Sequence, residues 1–158
     1  MRGSSHLAVG ITTGVLLSNM LQDPYARATT LAFCALGSIL PDIDHPDSVV
    51  GRKLWPISWI INELFGHRGF IHSLVLAVAM MVAAYIWGNP VWVNLVIGWW
   101  THLACDCVTI VGIPVFNHGS KDIRLPRALR IRTGSERETG LVQMYVVFAL
   151  VFTIMTSL

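Results

Sequence analysis

Three short motifs in this chain combine histidine with aspartate or arginine, side chains suited to binding metal ions and anions. The motifs are Pro41–Pro46, His67–Ser73 and His102–Asp106. His102 and Asp106 are four residues apart and would share one face of a helix. Because ionisable groups inside an apolar segment are costly, both side chains should have partners. Imidazole and carboxylate ligands suit zinc, manganese or iron. A structural hydrogen bond between the two side chains is the alternative.

The first motif, Pro41-Asp42-Ile43-Asp44-His45-Pro46, is bracketed by prolines. Because the residue before a proline is disfavoured in a helix, we predict an extended segment. Asp42 and Asp44 would then point the same way, with His45 on the opposite side. Two carboxylates so close repel each other unless a cation lies between them. The pattern therefore predicts a metal site, and an aspartate-rich turn that caps a helix is the alternative.

The second motif places Arg68 between His67 and His72. Gly69 indicates that the chain is still turning at His67, so that only His72 lies on the helix that follows. The planar guanidinium of Arg68 could hold a phosphate or a carboxylate through two parallel hydrogen bonds. The alternative is that Arg68 only adds to the positive charge of a cytoplasmic loop.

The composition predicts a membrane protein. Of the 158 residues, 54% are hydrophobic and only 13% are charged, whereas about 25% are charged in an average soluble domain. A spanning helix needs about 20 apolar residues, and the first two apolar segments of this chain are short for that length. The apolar segments are roughly His6–Leu21, Thr29–Leu40, Phe70–Trp87, Val91–Val115 and Gly140–Leu158. We predict a single all-α domain, residues 1–158, built as a polytopic membrane helical bundle of about five spans.

Positive charge predicts the orientation of this bundle in the membrane. Six of the eleven Lys and Arg residues lie between Lys121 and Arg137, and basic residues collect on cytoplasmic loops. The amino terminus and the loops 41–69 and 116–139 would then be cytoplasmic, and the carboxyl terminus periplasmic. This topology gathers ligand-type side chains from every segment at the cytoplasmic face. They are His6, Asp42, Asp44, His45, His67, His72, His102, Asp106, Glu136 and Glu138.

The number of candidate ligands also bears on the metal. Even without the two glutamates, the eight His and Asp candidates exceed what one tetrahedral zinc ion needs, so two or three ions fit better. In the first helix, Gly10 and Gly14 form a GxxxG pattern that permits close approach of another helix. Trp55 and Trp59, four apart in the segment 54–65, predict an amphipathic helix at the membrane interface. The basic segment 123–132 should lie on an anionic leaflet.

These motifs resemble the YdjM-like family of bacterial inner-membrane proteins, which are described as metal-dependent hydrolases. The matching elements are His6, residues 40–46, residues 66–73, residues 102–106 and residues 134–138. In the last element, Glu138 matches the family better than Glu136. The resemblance implies a membrane-bound hydrolase, and some family members are linked to the LexA-controlled damage (SOS) response. The pattern is more distantly similar to zinc-dependent phospholipase C and to single-strand nucleases, in which His and Asp bind three zinc ions.

The expected activity is hydrolysis of a lipid or lipid-linked phosphoester by metal-activated water. Asp42 or Asp44 would bridge paired metals, and the other carboxylate would accept the proton of the water. Arg68 would neutralise the phosphoryl oxygens, and Glu138 would complete the metal shell or orient a ligand histidine. Membrane lipid is the expected partner, and no nucleic acid is expected. The alternatives are a metal sensor or transport accessory without catalysis, and a lipid amide hydrolase. A role for His118 or Glu136 stays open.

Overall fold

The computed structural model describes residues 1–117 and 120–157, and His118 lies outside them. The described part is mostly helical, which confirms the all-α prediction. Its α-helices are α1 (Gly3–Ser18), α2 (Pro24–Gly37), α3 (Val49–Lys53), α4 (Trp55–Phe65), α5 (Leu74–Trp87), α6 (Pro90–Cys107) and α7 (Glu136–Ser157). Its 3-10 helices are Leu40–Asp44, Phe70–His72 and Arg127–Leu129. The strands β1 (Ile113–Pro114) and β2 (Asp122–Ile123) form a short antiparallel hairpin.

Each predicted apolar segment overlaps one of the longer helices. Small residues set how closely these helices pack. Helix α2 lies between α1 and α6, while α7 packs on α1 and α5 on α6. A Cβ on Gly10 would overlap the side chain of Ser38, and one on Gly14 would lie 3.0 Å from the Cα of Leu31. The GxxxG pattern of α1 therefore faces α2 closely, as predicted.

The contact between α2 and α6 is equally close. A Cβ added to Gly98 would overlap the carbonyl oxygen of Cys34. One turn further along α6, this close approach lets His102 reach the backbone just beyond the end of α2. The buried apolar core lies on the other side of α6, where Trp99 and Leu103 pack with Ala77 of α5. Glycine thus fixes the position of the helix that carries His102 and Asp106.

The structure corrects the predicted conformation of two motifs, Pro41–Pro46 and His67–Ser73. Residues Leu40–Asp44 form a 3-10 helix rather than an extended segment. Pro41 is compatible with it because the first turn of a helix does not use the missing N–H. At three residues per turn, residues two apart differ by about 240° in direction, so Asp42 and Asp44 face different partners. The prediction that His72 lies on the helix proper is also wrong, since His72 ends a 3-10 turn before α5.

Several features bear on the predicted membrane spans. In the described residues, one helix is long and apolar enough to cross a bilayer, over Glu136–Thr156, and only 11% of its most apolar window is buried. The apolar helix Leu74–Trp87 is shorter. The fourth apolar segment also yields a shorter helix than expected, because α6 ends at Cys107 and β1 follows. The presence of five spans therefore stays a prediction.

The predicted amphipathic helix is confirmed as a helix, α4 (Trp55–Phe65). Trp55 and Trp59 are both more than half exposed on its surface. Exposed aromatic side chains of this kind are favoured at a membrane interface. The position of α4 at that interface stays a prediction.

Candidate metal centre

Two histidine rings meet edge to edge at the centre of the histidine–aspartate cluster. His72 Nε2 and His102 Nε2 are 3.0 Å apart, and both side chains are fully buried. Asp106 Oδ2 lies 3.8 Å from His72 Nε2 and 3.7 Å from His102 Nε2. The spacing of His102 and Asp106 therefore places both groups on one face of α6, as predicted. The 3-10 turn before α5 brings His72 to the same point.

The outer nitrogens of both rings are committed to oxygen acceptors. His102 Nδ1 lies 2.7 Å from the carbonyl oxygen of Ser38, which can only accept. His72 Nδ1 lies 2.8 Å from Asp44 Oδ2, a carboxylate that accepts as well. Each Nδ1 therefore donates, and in the neutral rings each Nε2 presents a lone pair. Two lone pairs that face each other at 3.0 Å repel unless a proton or a metal cation lies between them. With a metal cation there, the two rings would form a chelating pair.

His6 adds a third imidazole from the first turns of α1. Its ring stacks on that of His102 with centroids 3.7 Å apart, and its Nε2 lies 3.5 Å from Asp106 Oδ1. His6 Nδ1 is buried without a hydrogen-bond partner. A buried polar atom without a partner is rare and costly, so it calls for a ligand that the protein itself does not supply. Donor atoms of His6, His102 and Asp106 lie within 4.8 Å of one another.

Asp42 completes a second donor group with the same histidines. Its Oδ1 lies 3.8 Å from His102 Nε2, and donor atoms of Asp42, His72 and His102 also lie within 4.8 Å of one another. The two groups share His102. Three imidazoles and two carboxylates are the donor set typical of zinc, manganese and iron sites. The residues present therefore fit a transition-metal ion.

Asp44 lies behind His72 and orients its ring. Its Oδ1 is 2.9 Å from His67 Nδ1, and its Oδ2 accepts from the backbone N–H of Arg68 at 3.0 Å as well as from His72. Burial of Asp44 disfavours its ionised form, but the hydrogen bonds from His67 and His72 outweigh burial and lower its pKa to about 2. A carboxylate that orients a histidine in this way fixes the tautomer that binds metal.

We expect Asp44→Asn to weaken metal binding by about 10- to 100-fold, as outer-shell substitutions do. An amide has one acceptor oxygen, so it cannot serve His67, His72 and the Arg68 N–H together. Metal titration of the purified protein measures this effect. Asp23→Asn is the matched control, because Asp23 caps α2 and asparagine caps a helix equally well. Unchanged affinity in Asp44→Asn would show that this carboxylate does not position the centre.

Arg68 contacts two aspartates of the site, Asp44 through its backbone N–H and Asp106 through its guanidinium. It is the one residue other than glycine with a positive φ among the described residues, at 60°, a conformation that is uncommon outside glycine and asparagine. Its Nη2 donates to Asp106 Oδ1 at 2.9 Å, and Nη1 to Thr109 Oγ1 at 3.3 Å. The Met1 amino group also pairs with Asp106 Oδ1, at 2.5 Å. Asp106 therefore attracts cationic groups from two directions.

A polar cavity of about 700 Å³ opens beside this cluster, and we refer to it as the polar cavity. Asp42, His67 and Arg68 line it from the side of the cluster, and Asp122 and Thr133 line it from the loop 116–139. His45 also lines the cavity and makes an edge-on contact with His67, with centroids 4.5 Å apart. The side chain of His67 is 39% exposed. His45 and His67 therefore line the cavity on its exposed side, and Asp42 lines it on the side of the buried histidines.

The structure gives Glu138 a different environment from the donors. Its Oε1 accepts from the Arg2 N–H at 2.8 Å and from Ser5 Oγ at 2.5 Å. Its Oε2 accepts from the Gly134 N–H at 2.7 Å. Glu138 thereby ties the start of α7 to the first turn of α1, from which His6 projects. Glu136 is exposed, away from the cluster.

Of the predicted site residues, five are brought together as donors: His6, Asp42, His72, His102 and Asp106. Two contributors were missed. The backbone carbonyl of Ser38 orients the His102 ring. The residue types in a sequence do not show which backbone carbonyl will accept a hydrogen bond from a side chain. Thr109 is fully buried, accepts from Arg68 and donates to the Asp106 carbonyl at 2.8 Å, but nothing in the local sequence distinguishes it from a packing threonine.

The fold and this cluster define a helical, membrane-associated protein with a buried histidine–aspartate centre. The profile of the family described as YdjM inner membrane protein matches residues 1–157. The chain is 34% identical to YvsG of Bacillus subtilis over 141 residues, or 87% of this chain and 85% of that protein. It is 31% identical over 137 residues to the inner membrane protein YdjM of Escherichia coli and to that of Shigella flexneri, covering 80% of this chain and 70% of each. No solved structure matches the chain significantly. The chain belongs to the YdjM family of inner membrane proteins.

Proposed function

We propose that this protein is a metal-dependent hydrolase of the inner membrane that cleaves a lipid or lipid-linked phosphoester. The observation that supports it is the chelating pair, His72 and His102, buried beside Asp42, which lines the polar cavity together with Arg68. A structural metal site would be closed by protein ligands, whereas a catalytic site keeps a position open to substrate. Asp42, which lines the polar cavity, would give this centre such an opening.

The donors identified above, His6, Asp42, His72, His102 and Asp106, would hold the metal. We propose zinc, as two or three ions, with manganese and iron as the other candidates. Bound there, a divalent ion supplies Lewis acidity and water of lowered pKa. Asp42 is 18% exposed, so its carboxylate can reach water in the cavity and accept a proton. Arg68 presents its guanidinium to a phosphoryl group from the cavity wall.

A lipid is favoured over a soluble substrate because of what surrounds the cavity. The chain belongs to a family of inner membrane proteins, and α4 exposes Trp55 and Trp59. Asp122 and Thr133, which flank the basic segment 123–132, line the same cavity, and this segment would attract an anionic leaflet. These features would set the cavity at the depth of lipid headgroups.

We propose five spans, with the amino terminus cytoplasmic and the carboxyl terminus periplasmic, because the Lys and Arg residues concentrate in two loops. A reporter enzyme fused after Leu158 should be active in the periplasm. Cytoplasmic activity of that fusion would reverse α7 and separate Glu138 from the amino-terminal segment that it binds.

The reaction can be tested directly with the purified protein in detergent. We expect release of phosphate or of a phosphorylated headgroup from a phospholipid or a polyprenyl phosphate, loss of this activity with a chelator, and recovery on addition of zinc. Each step is measured by lipid chromatography and phosphate assay. Cleavage of a lipid amide in place of every phosphoester would favour an amide hydrolase. Bound metal without any turnover would favour a sensor or a transport accessory.

A further inference from the structure

A second concave surface lies between α1, α6 and α7, with a volume of about 580 Å³, and we refer to it as the apolar groove. Val9, Ala104, Met144 and Phe148 are among its lining residues. Met144 and Phe148 are 67% and 61% exposed, so the groove is open along α7. Its lining resembles the interior of a bilayer more than a site for a polar ligand.

The hydroxyl groups in the walls of the groove are already engaged. Thr13 Oγ1 and Tyr145 OH are 3.0 Å apart, and Thr101 Oγ1 donates to the Gly98 carbonyl at 2.7 Å. Polar groups that are paired within the protein leave apolar surface as the main contact for a ligand. A hydrocarbon chain fits such walls.

The apolar groove adjoins the polar cavity at Met1. Met1, which is 7% exposed, lines both of them. The groove is also lined by Cys105, the residue that precedes Asp106 of the metal centre. From Leu141 to Phe148 the groove follows α7 for about 10 Å, at 1.5 Å per residue. An amphiphile with its polar end at the metal centre could therefore lay its apolar end along α7.

We propose that the apolar groove binds one hydrocarbon chain of the lipid substrate while the phosphate lies in the polar cavity beside Arg68. This inference rests on the proposed function and names the part of the substrate that the protein recognises. Because α7 contains the apolar segment long enough to cross a bilayer, a groove on its surface lies at hydrocarbon depth. The polar cavity at its end then lies at headgroup depth.

Alkyl phosphonates of increasing chain length, from butyl to dodecyl, test the proposal because they bind without being hydrolysed. We expect each methylene that enters the groove to tighten binding by up to about fourfold, until the chain fills the groove. Ala104→Phe should remove most of this dependence, because Ala104 is an exposed residue in the groove lining. Ala79→Phe makes the same change at an exposed position of α5 and should bind like the wild type. Binding is measured by calorimetry in one detergent throughout.

Comparison of the variants distinguishes binding of the alkyl chain in the groove from its general partition into detergent. An equal gain in affinity per methylene in the wild type and in Ala104→Phe would overturn the proposal, because a blocked groove could not bind the added methylenes. The proposal is supported if the gain in affinity per methylene is weaker in Ala104→Phe but not in Ala79→Phe, whether or not any phosphoester is cleaved. The failure of hydrolysis would therefore contradict the proposed function and leave the chain-binding groove standing.

Discussion

His102→Ala should abolish metal binding and reduce turnover by more than about 100-fold. Removing even an outer-shell partner of a metal ligand costs about 10- to 100-fold, and His102 belongs to both donor groups. The substitution also leaves the Ser38 carbonyl without the Nδ1 donor that it faces at 2.7 Å. Metal content per chain, measured by mass spectrometry on the detergent-purified protein, gives the first readout, and lipid hydrolysis gives the second.

Asn94→Ala provides the control for His102→Ala. Asn94 is a buried polar residue of the same helix and donates to Thr30 Oγ1 at 3.1 Å, two turns from the metal centre. Its loss should cost stability without removing metal. If His102→Ala binds as much metal as the wild type while Asn94→Ala folds normally, the chelating pair is not a metal site.

Arg68→Lys should leave metal content and membrane insertion intact while it reduces turnover by about 100-fold, the usual cost of one lost donor to a developing charge. Lysine keeps the positive charge but lacks the planar fork that holds a phosphoryl group through two hydrogen bonds. It also cannot reproduce the paired contacts of Arg68 with Asp106 and Thr109. Rates at saturating substrate and metal content measured on the same preparation separate the two effects.

Arg52→Lys makes the same change at an exposed arginine of the same loop and should retain full turnover. If Arg68→Lys also retains it, the guanidinium does not act on the substrate. If Arg68→Lys instead loses its metal, Arg68 serves the integrity of the centre, and the proposed role at the phosphoryl group is wrong.

Much of the site could be predicted from patterns that are local in the sequence. The spacing of four between His102 and Asp106 places them on one face wherever that segment is helical. The apolar segments predicted the helices because hydropathy and length are properties of a short window. The small residues Gly10 and Gly14 predicted a close helix contact, since only the absence of a side chain permits one.

The roles within the site could not be predicted in this way. Asp42 and Asp44 look equivalent in the sequence, yet the 3-10 helix turns Asp42 toward His102 and Asp44 toward His67 and His72. Proline is compatible with both the extended and the 3-10 conformation. The choice depends on contacts with residues far along the chain, which the local pattern does not contain.

The sequence by itself determined that ligand-type residues occur at corresponding ends of several apolar helices. Only the tertiary structure decided which of them come together in one cluster. Glu138 is bound by the amino-terminal segment, and the tautomer of His102 is set by the Ser38 carbonyl, 64 residues away in the chain. Hydropathy and periodicity are encoded residue by residue. The distance between two side chains on different helices depends on how closely the helices pack, and a backbone carbonyl has no residue type to identify it.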